Sequence, residues 1–201
     1  MRLIEAEQRL LALKQPVLQT SDASACLQVS RAYASKILDR LVKEGRFVRL
    51  MRGKWATSQQ IDPLILPEHL TAPFPSYVSL QTALFYHGMI SQIPEVIYAV
   101  TVGRTRQYKT PLGTFSVHHL QPNFFFDFEI VGNVKIATLE KALIDVLYLT
   151  AAKSQLFKVL PELEFPTKFN RKKAYAIIKR ISFARTRTLV TARLNQLLSQ
   201  S

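Results

Sequence analysis

The stretch that most restricts the fold runs from Thr20 to Thr57, where two helical patterns, a tight turn and a hairpin signal follow one another without a gap. Ser30 stands where a helix-capping hydroxyl is wanted, able to accept from an unpaired amide of the first turn. Behind it Ala34, Ile37, Leu38 and Leu41 recur at three- and four-residue spacing, which predicts one buried stripe and leaves Ala32, Lys36 and Lys43 outside it. Gly45 follows as a left-handed cap. Thr20 to Leu27 reads as a shorter preceding helix, and Gln28-Val29-Ser30 as the turn between the two. Beyond Gly45, Phe47 to Leu50 and Lys54 to Thr57 read as strands around Met51-Arg52-Gly53, with Arg52 at the tip.

Helix, turn, helix and hairpin in this order make a helix-turn-helix with a wing. The run Ser30-Arg31-Ala32-Tyr33-Ala34-Ser35-Lys36, followed by Leu38, Arg40, Leu41 and Gly45, resembles winged-helix regulators of the MarR type over about the first quarter of the chain. In such units the first turns of the second helix enter the major groove. Arg31, Ala32, Tyr33, Ser35, Lys36 and Arg40 are therefore the candidate recognition-helix residues, with Lys36 suited to guanine acceptors and the Ala32 methyl to a thymine methyl. Ser30, Lys43, Arg49, Arg52 and Lys54 are the candidate phosphate and wing contacts, which set affinity and register, and Arg40 is placed to join them. Tyr33 stacks on a sugar or packs on its own helix. Asp39 would repel phosphate and is expected to pair with Lys36, Arg40 or Lys43. The plainer alternative for all of them is a solvated basic face.

Charge supports the sharper reading. The chain carries a net charge of +13, unevenly distributed. Residues 1–57 hold eleven Lys and Arg against five Asp and Glu, residues 58–164 seven against nine, and residues 165–201 nine against none. Two basic poles flanking a nearly neutral middle point to double-stranded DNA, another acidic partner or an anionic membrane surface, and the first pole coincides with the helix-turn-helix. A hydrophobic content of 48% with 20% charged residues is that of a folded chain with a core. The single cysteine, Cys26, excludes an internal disulfide and argues against a Cys-rich zinc site, so a cytoplasmic location is expected. The first residues lack a signal-peptide pattern, and no apolar run is long enough to span a bilayer.

The expected fold class is α+β. A helix over residues 2–14, ended by Pro16, supports the DNA-binding unit, which is placed at residues 1–60. Residues 61–75 carry Pro63, Pro67, Pro73 and Pro75 and read as an ordered, non-helical linker. Residues 76–201 form a second domain. There Ser79 caps a helix lined by Leu80, Ala83, Leu84 and His87. Extended runs at 96–102, 114–120, 124–130 and 134–137 make a small, mostly antiparallel sheet, with Pro111-Leu112-Gly113 as a turn. Thr138 caps an apolar, buried helix from Leu139 to Leu149, and residues 151–201 read as helical throughout, with helices at Phe169–Arg180 and Thr188–Leu198.

The segments Tyr77-Val78-Ser79-Leu80, Ala83-Leu84, Tyr86-His87-Gly88, Thr101-Val102, Thr110-Pro111-Leu112-Gly113 and Glu140-Lys141-Ala142-Leu143-Ile144-Asp145 are similar to the AbiEi antitoxin family of type IV, abortive-infection toxin–antitoxin systems. With the winged helix, the resemblance spans roughly residues 5–150. It implies a transcriptional autorepressor, binding inverted repeats in its own promoter, that also counteracts a nucleotidyltransferase-like toxin from the same operon. It implies no enzyme activity and no cofactor. A winged-helix regulator whose second domain senses a small molecule is the alternative, favoured by a pocket with convergent polar groups within residues 76–150.

Other candidates for chemistry are sparse. His118 and His119 are adjacent and face opposite ways on a strand, so they do not share a metal. Asp127 and Glu129 are expected on one strand face, the minimum for a hard cation or a nuclease. His87 reads as a hydrogen-bonded core histidine, Glu140 as a first-turn carboxylate, and Lys141 with Asp145 as an intrahelical pair. No metal site is expected. The C-terminal basic surface, Arg171, Lys172, Lys179 and Arg180, has three readings: a solvated face, an auxiliary DNA contact, or a surface for an acidic toxin or its RNA substrate. No heptad repeat specifies a dimer, and two monomers on an inverted repeat satisfy the pattern.

Overall fold

The computed structural model describes residues 2–151 and 162–200. It is α+β, and it divides into two compact units, Met1–Leu70 with Tyr108–Thr114 and Thr71–Gln107 with Phe115–Ser201. The part of the expected C-terminal helical run at 152–161 lies outside the described residues.

The first unit opens with α1 (Leu3–Leu11), shorter than expected because Ala12 caps it and Lys14 takes a positive φ of 53°, well before Pro16. Strand β1 (Val17–Gln19) follows, which periodicity does not reveal in so short a run. Helix α2 (Thr20–Leu27) is opened by a capping box in which the Gln19 amide donates to Asp22 Oδ2 at 2.8 Å. Gln28 turns the chain in the left-handed region, and α3 (Arg31–Lys43) begins with the Ser30 hydroxyl accepting from the Tyr33 amide. Its end is a complete left-handed cap: Gly45, at φ +70°, donates to Val42 O and Arg46 donates to Leu41 O.

Strands β2 (Val48–Met51) and β3 (Lys54–Ala56) form the expected hairpin, and β1 pairs with β3 to give a three-stranded antiparallel sheet in the order β1-β3-β2. The core beneath holds Ala6, Leu10, Leu18, Leu27, Ile37, Leu38, Leu41, Phe47 and Trp55, so the predicted α3 stripe is the stripe that is buried. The proline-rich stretch is not helix-free. Pro63–Ile65 makes a 3-10 turn and Leu66–Thr71 makes α4, with Pro67 in the first turn where its missing donor costs nothing.

In the second unit β4 (Ser76–Val78), α5 (Leu80–Tyr86), β5 (Ile97–Thr101), β6 (Arg106–Thr110), β7 (Gly113–His119), β8 (Phe128–Val131) and β9 (Val134–Ala137) supply a six-stranded sheet in the order β6-β7-β5-β4-β9-β8, to which β6 contributes although its tip residues fall with the first unit. The sheet is mixed, which corrects the expectation of a mostly antiparallel one. β4–β5 and β8–β9 are antiparallel, whereas β4–β9 and β5–β7 run parallel. Helix α6 (Leu139–Ala151) is buried at every residue from Leu139 to Leu149 and packs against α5, α7 (Arg171–Lys179) and α8 (Ala184–Gln200). Residues 162–170 are non-helical, so the chain is not helical throughout after α6. No helix among the described residues is long and apolar enough to cross a membrane.

Candidate nucleic-acid interface

Helix α3 turns its polar side outward because its opposite stripe is taken up by the core. Arg31, Ala32, Tyr33, Lys36, Arg40 and Lys43 are exposed, while Ser35 is half-buried at the edge of the face. Tyr33 keeps 42% of its surface in solvent, so its ring is not used up in packing on the helix. None of Arg31, Lys36, Arg40 and Lys43 meets an acidic side chain among the described residues, which leaves three uncompensated charges, Lys36, Arg40 and Lys43, on one helical face and a fourth, Arg31, at the start of the helix. Ser30 is committed to its cap at 3.3 Å from the Tyr33 amide, so its role is to fix where the helix starts.

The hairpin places Arg52 at its tip, exposed, beside Gly53 at φ +80°. The tip is tied down, since the Thr20 amide donates to Gly53 O at 3.0 Å and the Trp55 indole N–H donates to Thr20 Oγ1 at 2.9 Å. Arg49 differs from the expectation of a plain phosphate contact. Its guanidinium lies 5.3 Å from the Trp55 ring centroid and 3.7 Å from Asp39 Oδ1. Asp39 is thereby paired across elements with Arg49, not with the α3 neighbours expected from helical spacing.

Lys54, expected among the phosphate and wing contacts, is engaged within the first unit. Its ammonium donates to the carbonyl oxygens of His69 and Leu70, the latter at 3.1 Å, and burial lowers its pKa. These carbonyls end α4, where unpaired acceptors and the helix dipole both favour a cation. Lys54 thus satisfies acceptors at the C-terminal end of α4.

In the second unit Arg171, Lys172, Lys179 and Arg180 are exposed, as expected of a C-terminal basic surface. Arg180 rests over the Phe126 ring at 3.5 Å. Lys173 instead turns inward, 3.3 Å from Asp127 Oδ2 and 3.4 Å from Glu140 Oε2, and the other Glu140 oxygen accepts from the Asn170 amide.

The expected Asp127–Glu129 face does not form. Asp127 precedes β8 with φ +60°, accepts from Thr138 Oγ1 at 2.8 Å and pairs with Lys173, while Glu129 is exposed on the strand. Among the described residues no cluster of three His, Cys, Asp or Glu side chains is placed to hold a metal. His118 contacts Ser116 Oγ at 3.0 Å, and His119 contacts Gly103 O at 2.8 Å. His87 lies 2.7 Å from Ala137 O, a hydrogen-bonded histidine at the end of α5.

The polar cluster that sequence reasoning only half anticipated surrounds Asp145. It accepts from Lys141, from Tyr77 Oη at 3.0 Å and from Ser79 Oγ at 2.8 Å. Ser79 thus spends its hydroxyl on α6 and does not cap α5 with it. The Lys141 ammonium sits 4.0 Å from the Phe124 ring centroid, with Phe126 and Tyr77 around it. Burial lowers the Lys141 pKa and raises those of Asp145 and Tyr77. A lysine and an aspartate one turn apart on a helix with no polar face were the available signal, because such a pair has nowhere to go but inward.

No protein-family model and no curated protein matches the chain. Among solved structures, the solution structure of the antibiotic-resistance factor ANT(2'')-Ia is similar over 68% of this chain and 91% of that one, with a TM-score of 0.32 and 10% identity.

Proposed function

We propose that this chain is a sequence-specific, double-stranded-DNA-binding transcriptional autorepressor and the antitoxin of a type IV, AbiEi-like toxin–antitoxin system. The carrying observation is the uncompensated exposed face of α3: Ala32, Tyr33, Lys36, Arg40 and Lys43 on one side of a helix whose start is fixed by Ser30 and whose other side is core, with Arg31 exposed at its first residue. Helix α3 is the recognition helix of a winged helix-turn-helix, α2 is its partner across the Gln28–Ser30 turn, and the β2–β3 hairpin is the wing with Arg52 at its tip. Base contacts come from the first turns of α3, and phosphate contacts from Arg40, Lys43 and Arg52. The antitoxin half rests on the family-like segments of the second unit, where Tyr77, Ser79, Lys141 and Asp145 turn out to form one buried cluster.

A gel-shift titration against the DNA upstream of this chain's own gene, with scrambled competitor at two salt concentrations, tests the repressor half. Binding that survives the competitor supports it; equal binding to both DNAs that vanishes with salt refutes it. Co-expression with the adjacent gene tests the antitoxin half, which fails if toxicity is unrelieved. The second unit contains a cavity partly built from residues 121–124, and this observation keeps the small-molecule-sensing regulator as the second reading.

A further inference from the structure

The cavity in the second unit lies between the 3-10 turn Pro122–Phe124 and the turn joining α7 to α8. Its volume is about 310 Å³, and its lining includes Gln121, Asn123, Phe124, Tyr148, Ser182 and Phe183. That is the low end of ligand pockets, which run from about 300 to 1,000 Å³, and suits one small ring system better than a cofactor of two. Two of the lining rings are fixed: Phe124 and Tyr148 are buried and stacked with centroids 4.6 Å apart. The third, Phe183, leaves 63% of its surface in water at the lip.

The polar lining is made of neutral groups with directional bonds. Asn123 donates through Nδ2 to Ser182 Oγ, which ties the two walls together and leaves the Asn123 carbonyl and the exposed Gln121 amide for a ligand. The segment that supplies the wall Ile181, Ser182 and Phe183 is basic. Residues 165–201 contain nine Lys and Arg and no Asp or Glu. Arg187 is anchored to Ile181 O at 3.0 Å and Arg180 over Phe126, but Lys179 and Arg185 are exposed with no acidic partner among the described residues.

A purely apolar ligand would leave the amides unused, and a bare anion would leave the rings unused. A nucleobase joined to its phosphate uses both and brings an anion to Lys179 and Arg185, each two residues in sequence from the lining residues Ile181 and Phe183. We infer that this cavity takes one nucleobase, stacked on Phe183 and bonded by the Gln121 and Asn123 amides, with its phosphate on Arg185 and Lys179. The nucleotide is supplied either by an unpaired position of a single strand or free in solution. A paired duplex cannot supply it, because its bases are closed inside the stack. The site is therefore separate from the α3 face, and it stands or falls without the operator.

The test uses the full chain in fluorescence anisotropy with a fluorescein-labelled, unstructured oligouridylate. Unlabelled ATP, GTP, CTP and UTP serve as competitors, and a labelled DNA duplex as control. Phe183→Ala should weaken oligouridylate binding about tenfold, the loss of one stacked base, and leave duplex binding unchanged. Arg185→Ala should weaken it and reduce the salt slope by about 0.7. Both side chains are exposed, so melting temperatures equal to the parent's are expected and certify the fold. Displacement by a mononucleotide as effectively as by the unlabelled oligomer assigns the free nucleotide as the source; displacement by the oligomer alone assigns the strand. Absence of binding to oligomer and mononucleotides, binding unchanged in both variants, or a loss that the duplex shares equally would overturn the site.

Discussion

Lys141 and Asp145 stand one turn apart on α6, both fully buried, and close an ion pair inside the second unit. Removing one partner leaves the other charge stranded away from water. Asp145→Ala should therefore cost about 3–5 kcal/mol, whereas Lys141→Met with Asp145→Leu should cost clearly less. Urea melts of the two variants decide it. A double variant as unstable as the single one would mean that Tyr77 and Ser79, not the ion pair, dominate the cluster.

On α3, Lys36→Ala should erase the preference for operator over scrambled DNA. Arg52→Ala, at the hairpin tip, should weaken both DNAs about equally and flatten the salt dependence by roughly one unit. Gel shifts at several salt concentrations separate the two effects. If both variants bound like the parent, the face assigned to DNA would be the wrong one.

Lys54 lies in the same basic segment, yet its ammonium is spent on the His69 and Leu70 carbonyls. Lys54→Ala should lower the stability of the first unit by about 1.5–3 kcal/mol, as for a hydrogen bond from a charged donor. The slope of DNA affinity against salt should not change. A flattened slope with unchanged melting would return Lys54 to the phosphates.

His118 is buried beside Tyr98 and Ser116, and burial lowers its pKa below the usual 6.5. The folded chain therefore prefers the neutral ring. The resulting stability is present above pH 6.5 and is lost as the pH falls through the lower folded-state value. Thermal melts between about pH 8 and pH 5 should show that loss, with a smaller loss in His118→Gln. His69, whose pKa burial also lowers, adds a loss of the same sign that persists in that variant. An identical acid profile in His118→Gln would remove His118 as a cause.

What the sequence disclosed follows from range. Helix α2, helix α3, the Ser30 and Gly45 caps and the hairpin were readable because each is encoded within one or two turns of chain. So was the solvent face of α3, once its buried stripe was known. Strand β1 was not readable, since Val17-Leu18-Gln19 is too short for any period and becomes a strand only by pairing with β3. Strand β6, Arg106–Thr110, is polar along its length, as a strand at the edge of a sheet is free to be. The parallel pairs β4–β9 and β5–β7 join segments far apart in the chain, which no local pattern specifies. The bonds of Lys54 to His69 and Leu70 were hidden for the same reason: its acceptors stand on a helix among prolines.

Trp55 is the chain's single tryptophan, with its indole N–H on Thr20 and the Arg49 guanidinium over its ring. The first unit thus carries a built-in fluorophore at the junction of α2 and the hairpin. Its emission reports, without any added label, whether that junction is closed and whether Arg49 has left the ring for another anion.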